Sequence, residues 1–95
     1  MIEVRRTKVF IEWLRKLKDR RAQERIAQRL VRLQAGLFGD VKYFGGIGEL
    51  RVDHGPGYRV YFVRKDDALV VLLCGGDKGT QSRDIERAVA MAKEV

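Results

Sequence analysis

The chain has one cysteine, one histidine and one proline among its 95 residues. A lone cysteine closes no internal disulfide, and one Cys with one His falls short of the roughly four ligands of a structural zinc site. Cys74 lies in an apolar run and reads as a small core residue. Long hydrophobic stretches are missing too: the longest, Ala68 to Cys74, is far below the ~20 residues of a membrane-spanning helix. The start, Met1-Ile2-Glu3-Val4-Arg5-Arg6, turns charged at once and offers no secretory hydrophobic segment. The expected compartment is therefore the cytoplasm, with no membrane association. No repeat, low-complexity tract or linker breaks the chain, which reads as one domain over 1–95.

Apolar residues are present in quantity, at 45 % of the chain, enough for a packed core at this length. Twenty Lys and Arg stand against thirteen Asp and Glu, for a net charge of +7. That balance favours a polyanionic partner, nucleic acid first.

Periodicity separates the chain into a helical and a stranded half. Ile2 to Val4 reads as a short first strand. Thr7 can cap a helix whose stripe is Phe10, Trp13, Leu14 and Leu17. Lys18-Asp19-Arg20 interrupts that stripe, and Asp19 can cap a second helix with the apolar line Ala22, Ile26, Leu30 and Leu33, ending at Gly36. Strand signals follow over Val41–Phe44, Ile47–Asp53, Tyr58–Arg64 and Leu69–Cys74. The last of these is apolar at both parities and is expected to be covered on both sides. Gly75-Gly76-Asp77-Lys78-Gly79 reads as a flexible loop. A final helix is expected from Thr80 or Ser82, with Ile85, Ala88, Val89 and Ala92 buried. The fold class is α+β: an N-terminal helical hairpin on an antiparallel sheet, closed by a C-terminal helix.

The hairpin around His54-Gly55-Pro56-Gly57 carries most of the functional information. Side chains alternate faces along a strand. If Leu50 pairs with Val60 and Val52 with Tyr58, then Arg51 lies opposite Arg59, and Glu49 opposite Tyr61 on the same outer side. Like charges directly opposed destabilise a sheet, so the arginine pair points to a phosphodiester ligand. Guanidinium forks suit phosphate oxygens and the added charge of a phosphorane-like transition state. Pairing of each arginine with Glu49 or Asp53 on a solvated face is the alternative.

Lys78 follows the inner strand and is a candidate for proton transfer, with Asp77 beside it to orient it or act as base. The alternative gives Asp77 a capping role. Tyr61 on the outer face can stack on an unpaired base or shuttle a proton; packing across the strands is the other reading. His54, at a turn tip, is the one side chain with an ordinary pKa near neutrality. Arg21, Arg25, Arg29 and Arg32 form a basic edge on the second helix, suited to a nucleic-acid backbone or to solvent.

These pieces resemble the RelE/ParE superfamily of bacterial toxins, and within it the HigB-like addiction module killer proteins. The likeness rests on Phe10-Ile11-Glu12-Trp13-Leu14, Gly39-Asp40-Val41-Lys42, Gly48-Glu49-Leu50-Arg51, Gly57-Tyr58-Arg59-Val60-Tyr61-Phe62 and Leu72 to Gln81, and so spans nearly the whole chain. The chain departs from it in having Gly79 where the family loop has Ser, and no tyrosine after Tyr61.

The resemblance implies a toxin of a type II toxin–antitoxin system that cuts mRNA on the ribosome without metal or cofactor. It implies a small antitoxin partner, often a helix-turn-helix protein, through which alone operator DNA is met. By this likeness Arg59 matches the phosphate-contacting position, Arg51 the basic position on the preceding strand and Lys78 the basic position after the final strand. Asp77 and Tyr61 join them as catalytic candidates from the reading of the residues alone, with Lys42, His54, Arg21, Arg25 and Arg29 as candidate nucleic-acid contacts. A ParE-like gyrase inhibitor and a non-catalytic RNA-binding module are the alternatives within the same fold.

Overall fold

A computed structural model describes all residues, 1–95. The elements are β1 (Glu3–Arg6), α1 (Lys8–Lys16), α2 (Arg20–Gln34), β2 (Val41–Phe44), β3 (Ile47–Val52), β4 (Tyr58–Asp66), β5 (Leu69–Asp77), a 3₁₀ turn (Lys78–Thr80) and α3 (Gln81–Ala92). The expected α+β class is what forms. One five-stranded sheet runs in the order β1-β5-β4-β3-β2. β1 is parallel to β5, and the remaining pairs are antiparallel.

The helix starts follow their capping residues. Thr7 Oγ1 accepts the Phe10 amide and donates to the Leu73 carbonyl, which fixes α1 to β5. Asp19 accepts the Ala22 amide at the start of α2. Gly36, at φ +85°, ends α2 in the left-handed region that glycine enters freely.

The sheet is covered on both faces. On one, Phe10 of α1 and Ala22, Ile26, Leu30 and Leu33 of α2 pack on Leu50, Val52, Val60, Phe62, Val70 and Leu72. On the other, Ala88, Ile85 and Val89 of α3 pack on Ile47, Tyr61, Val71, Leu73 and Cys74. β5 buries apolar side chains of both parities because both its faces are covered, Val70 and Leu72 in the α2-side core and Val71 and Leu73 in the α3-side core. Its register with β4 shifts at a bulge where Tyr61 pairs with Cys74 but Phe62 with Leu72. This bulge turns Leu73 and Cys74 together toward α3.

Two expectations are corrected. Gly75-Gly76-Asp77 is not a flexible loop but the end of β5, paired with Val60, Arg59 and Tyr58. Its glycines admit close neighbours: a Cβ on Gly75 would stand 2.3 Å from the Trp13 ring, and one on Gly76 1.8 Å from the Asp84 carboxylate. Tyr61, expected on an open outer face, is completely buried. The parity was right, but α3 folds over that face and takes Tyr61 into the second core.

Candidate nucleic-acid interface

The β3–β4 register is the one the alternation predicts: Leu50 opposite Val60, Val52 opposite Tyr58, Glu49 opposite Tyr61 and Arg51 opposite Arg59. Glu49 and Tyr61 lie under α3 with at most 1 % of their surface exposed. Two pairs further along, on the same face, Arg51 and Arg59 are only half-buried. They border an open groove of about 480 Å³ that Lys78, Asp40, Asp53 and Gly57 also line. Cations from β3, β4 and the turn after β5 thus meet at one end of the sheet.

The three are held differently. Arg51 donates Nε and Nη2 to a single oxygen of Asp40, at 3.2 and 2.7 Å. This contact, with the attraction of the same carboxylate and of Glu49, raises the Arg51 pKa above the ordinary guanidinium value. Arg59 makes no ion pair. Its Nη1 donates to the Gly57 carbonyl at 2.6 Å, and its Nε is buried without a partner. Gly57 sits at φ +81°, and a Cβ there would come within 2.8 Å of Arg59 Nη1, so the turn and the arginine jointly require glycine. Lys78 is exposed on the 3₁₀ turn.

Asp77 caps that turn. Its Oδ1 accepts the Gly79 amide at 2.7 Å, and Thr80 returns a contact to the Asp77 backbone. Of the two roles the sequence left open, the geometry displays capping. Thr80 also donates to Asp84, which is 7 % exposed and lies against Gly76. Glu49 accepts Gln81 Nε2 at 2.8 Å. Two buried carboxylates therefore fasten the start of α3, and with it the turn that carries Lys78.

Other sequence candidates lie apart from the groove. His54 Nε2 meets Asp19 Oδ2 at 3.0 Å, so the hairpin turn is tied to the start of α2 rather than left in solvent. The Ala22 amide first, then His54, holds the Asp19 carboxyl below its ordinary range. Arg29 turns inward and donates to the backbone carbonyls of Arg51, Phe38 and Asp40. It clamps the α2–β2 connection instead of standing in a basic edge, and burial lowers its pKa. Arg21 and Arg25 remain exposed on α2. Lys42 is exposed on β2 opposite Glu49, hence on the same sheet face as the groove, with its Nζ 6.0 Å from the Phe44 ring centre. The Tyr61 hydroxyl lies beside the Glu49 carboxylate without a well-formed hydrogen bond, and burial, then the Glu49 charge, pushes its pKa well up. It stays neutral and enclosed, which removes it as a base-stacking or proton-shuttling group.

Sequence reasoning missed Asp40, Gln81 and Asp84 as members of this region, and placed Glu49 on the right face without its burial under α3. Asp40 could have been found: β2 pairs Val41 with Leu50, and one further step puts Asp40 beside Arg51. No group of three or more His, Cys, Asp or Glu side chains is placed to hold a metal ion. No helix is long and apolar enough to cross a membrane.

The chain is 50 % identical over 95 residues to an uncharacterized protein of Haemophilus influenzae, an alignment covering 99 % of this chain and 96 % of the relative. No solved structure matches it. The family model for phage derived protein Gp49-like (DUF891) matches residues 12–94 and so takes in the groove, both of its arginines, Lys78 and all of α3. The chain belongs to the Gp49-like family, a family of toxin–antitoxin toxins related to the RelE/ParE-like addiction toxins.

Proposed function

We propose that this protein is a translation-blocking toxin that cleaves mRNA on the ribosome, with the Arg51–Arg59–Lys78 groove receiving the scissile phosphodiester. The observation that carries the reading is the meeting of these three cations in one open groove, with Arg59 free of any carboxylate. The RNA 2′-oxygen attacks the adjacent phosphorus and releases its proton. The new O2′–P bond forms as the P–O5′ bond breaks, leaving a 2′,3′-cyclic phosphate and a 5′-hydroxyl that takes up a proton.

The phosphorane carries more negative charge than the ground state, so fixed guanidinium groups favour it selectively. Arg59 supplies the unneutralised charge. Arg51, anchored by Asp40, has Nη1 left for a phosphate oxygen. The Lys78 ammonium, on its capped turn at the groove edge, is the candidate to protonate the leaving oxygen. The groove is shallow and exposed, so alignment of the 2′-oxygen must come from the surroundings of the RNA. A ribosome holding the message in place supplies that alignment, which is worth much of the barrier. Lys42 extends the cationic side of the same face. A co-produced antitoxin, often of helix-turn-helix type, would hold such a toxin in check in the cytoplasm.

Brief production of the protein followed by mapping of cellular mRNA 5′ ends tests this. Codon-phased cuts that vanish with Arg59→Ala support it. Intact mRNA with an induced DNA-damage response would instead indicate gyrase inhibition. Unchanged cutting by an Arg51→Ala/Arg59→Ala/Lys78→Ala variant would exclude the groove as the site.

A further inference from the structure

A second basic surface lies on the opposite side of the sheet. Ala22, Ile26, Leu30 and Leu33 face the core, and the solvent crest of α2 carries Arg21, Arg25, Gln28 and Arg32, all exposed. At 1.5 Å rise per residue the arginines form a row about 16 Å long. None makes an ion pair, and neither does Arg20.

This arrangement works against the helix. Arg21 and Arg25 are like charges at i, i+4, where a Glu–Lys pair would stabilise. The first turn has no acidic residue and holds two arginines, so the Asp19 cap alone offers negative charge to the positive end of the helix dipole. A face kept merely for solubility would alternate charges, and Glu24 is the single acid of α2.

We propose that the α2 crest docks on the phosphate backbone of double-helical RNA, as a site separate from the groove. The helix backbone fixes the spacing of the row, and a duplex backbone needs less ordering on binding than a loose strand does. The helix has no aromatic residue on which unpaired bases could stack. The crest is convex and lacks the apolar anchor of a protein hot spot; Val31, the exposed large apolar side chain of α2, lies on its flank. The groove opens on the face under α3 and the crest points away from the face under α2, so one molecule can hold a single strand and a duplex together. Such a division suits a toxin working among ribosomal helices. The inference rests on the nucleic-acid part of the proposed function, not on cleavage.

Fluorescence anisotropy with two labelled probes decides it: an RNA duplex of about 16 base pairs, and a short single strand 2′-O-methylated against cleavage. The variant Arg21→Gln/Arg25→Gln/Arg32→Gln should bind the duplex at least ~10-fold more weakly at ~0.1 M salt. Its log–log salt slope should fall by about two to three, as loss of three phosphate contacts requires. Single-strand affinity should stay within about twofold of the parent. The triple Arg→Lys variant should regain most of the duplex affinity, whereas Arg51→Gln/Arg59→Gln should lose the single strand and keep the duplex. Circular dichroism should show unchanged helix content in each variant. Unchanged duplex affinity or slope in the triple Gln variant overturns the proposal. So does loss of polyglutamate binding with duplex binding intact, which would identify an acidic protein partner. Failure of ribosomal cleavage leaves the duplex result standing, and failure of duplex docking leaves the cleavage assay unaffected.

Discussion

Arg51 and Arg59 stand directly opposite each other in the β3–β4 ladder, and only one of them is neutralised. Asp40 takes both side-edge N–H groups of Arg51 on one oxygen, while Arg59 finds only the Gly57 carbonyl. The pair is thus asymmetric: one guanidinium is oriented by an internal anion, the other is charged and waiting.

That asymmetry gives the first prediction. Under the proposed function, Arg59→Gln should lower ribosome-dependent cleavage by about 10²–10³-fold, the usual effect of losing one transition-state donor. Its melting temperature should not fall, because the substitution relieves a like-charge pair. Asp40→Ala should leave Arg51 charged but unanchored, lowering kcat more than it weakens RNA binding. Single-turnover cleavage beside binding to an uncleavable strand separates the two. A kcat unaffected by Asp40→Ala would deny it an orienting role.

A second prediction concerns Tyr61. Its buried hydroxyl meets the Glu49 carboxylate without a well-formed hydrogen bond. Tyr61→Phe should therefore be neutral or stabilising by up to about 1 kcal/mol and should leave cleavage intact. Tyr61→Ala should cost about 3–5 kcal/mol through the cavity left under α3. Denaturant titration of both variants measures this. Cleavage lost by Tyr61→Phe, with the fold retained, would restore the tyrosine to the site.

The hairpin was readable because alternation fixes the register wherever one face is buried. Arg51, Arg59, Glu49 and Tyr61 therefore came out on one face with the right partners. What the alternation does not encode is where a third layer begins. α3 ends its cover between the Glu49–Tyr61 pair and the Arg51–Arg59 pair, so two successive pairs on the same face have opposite fates: core and groove. The amphipathic pattern of α3 announced a buried stripe without saying which sheet face received it. Likewise helical spacing grouped Arg29 with Arg21 and Arg25, but Arg29 lies nearer the core and can reach the Arg51, Phe38 and Asp40 carbonyls. Gly75 and Gly76 signalled looseness in the sequence. In the fold they mark crowding by Trp13 and Asp84.

Gly76→Ala tests the last point. The added methyl would drive Asp84 from its place beside Thr80 and loosen the turn under Lys78. Overpacking of this kind costs about 1–3 kcal/mol. Stability should fall, and residual cleavage by the folded fraction should fall with it. Gly36→Ala, also strained at φ +85° but in open space, should lower stability without reducing cleavage per folded molecule. Equal loss of specific activity in both would count against a positioning role for the Asp84 turn.

The alkaline limb of stability should report the α3-side core. Burial, then Asp84, pushes the Cys74 thiol up to about 11 from an ordinary 9.0. Burial, then Glu49, drives Tyr61 upward from 10.0. Both groups hold their protons longer when folded than when unfolded. Above the unfolded values the native state binds more protons, so stability declines as pH rises. The decline should begin near pH 9 through Cys74 and steepen above pH 10 through Tyr61. Cys74→Ala should flatten the first part of the limb and Tyr61→Phe the second, in melting curves taken across that range.

Asp19 gives the opposite limb. Its carboxylate caps α2 through the Ala22 amide and receives His54 from the β3–β4 turn. Both contacts hold its pKa below the ordinary 3.8. The stabilisation is present above that unfolded value and disappears as pH falls through the lower folded one. Asp19→Asn keeps a capping oxygen but loses the charge, so it should match the parent in strong acid and melt lower near neutrality. Asp19→Ala should melt lower at every pH, because the cap itself is gone. Replacing His54 with Gln in the Asp19→Asn background should change little, since the pair has already lost its charge. A further large drop there would mean that His54 holds the hairpin turn by hydrogen bonding rather than by charge.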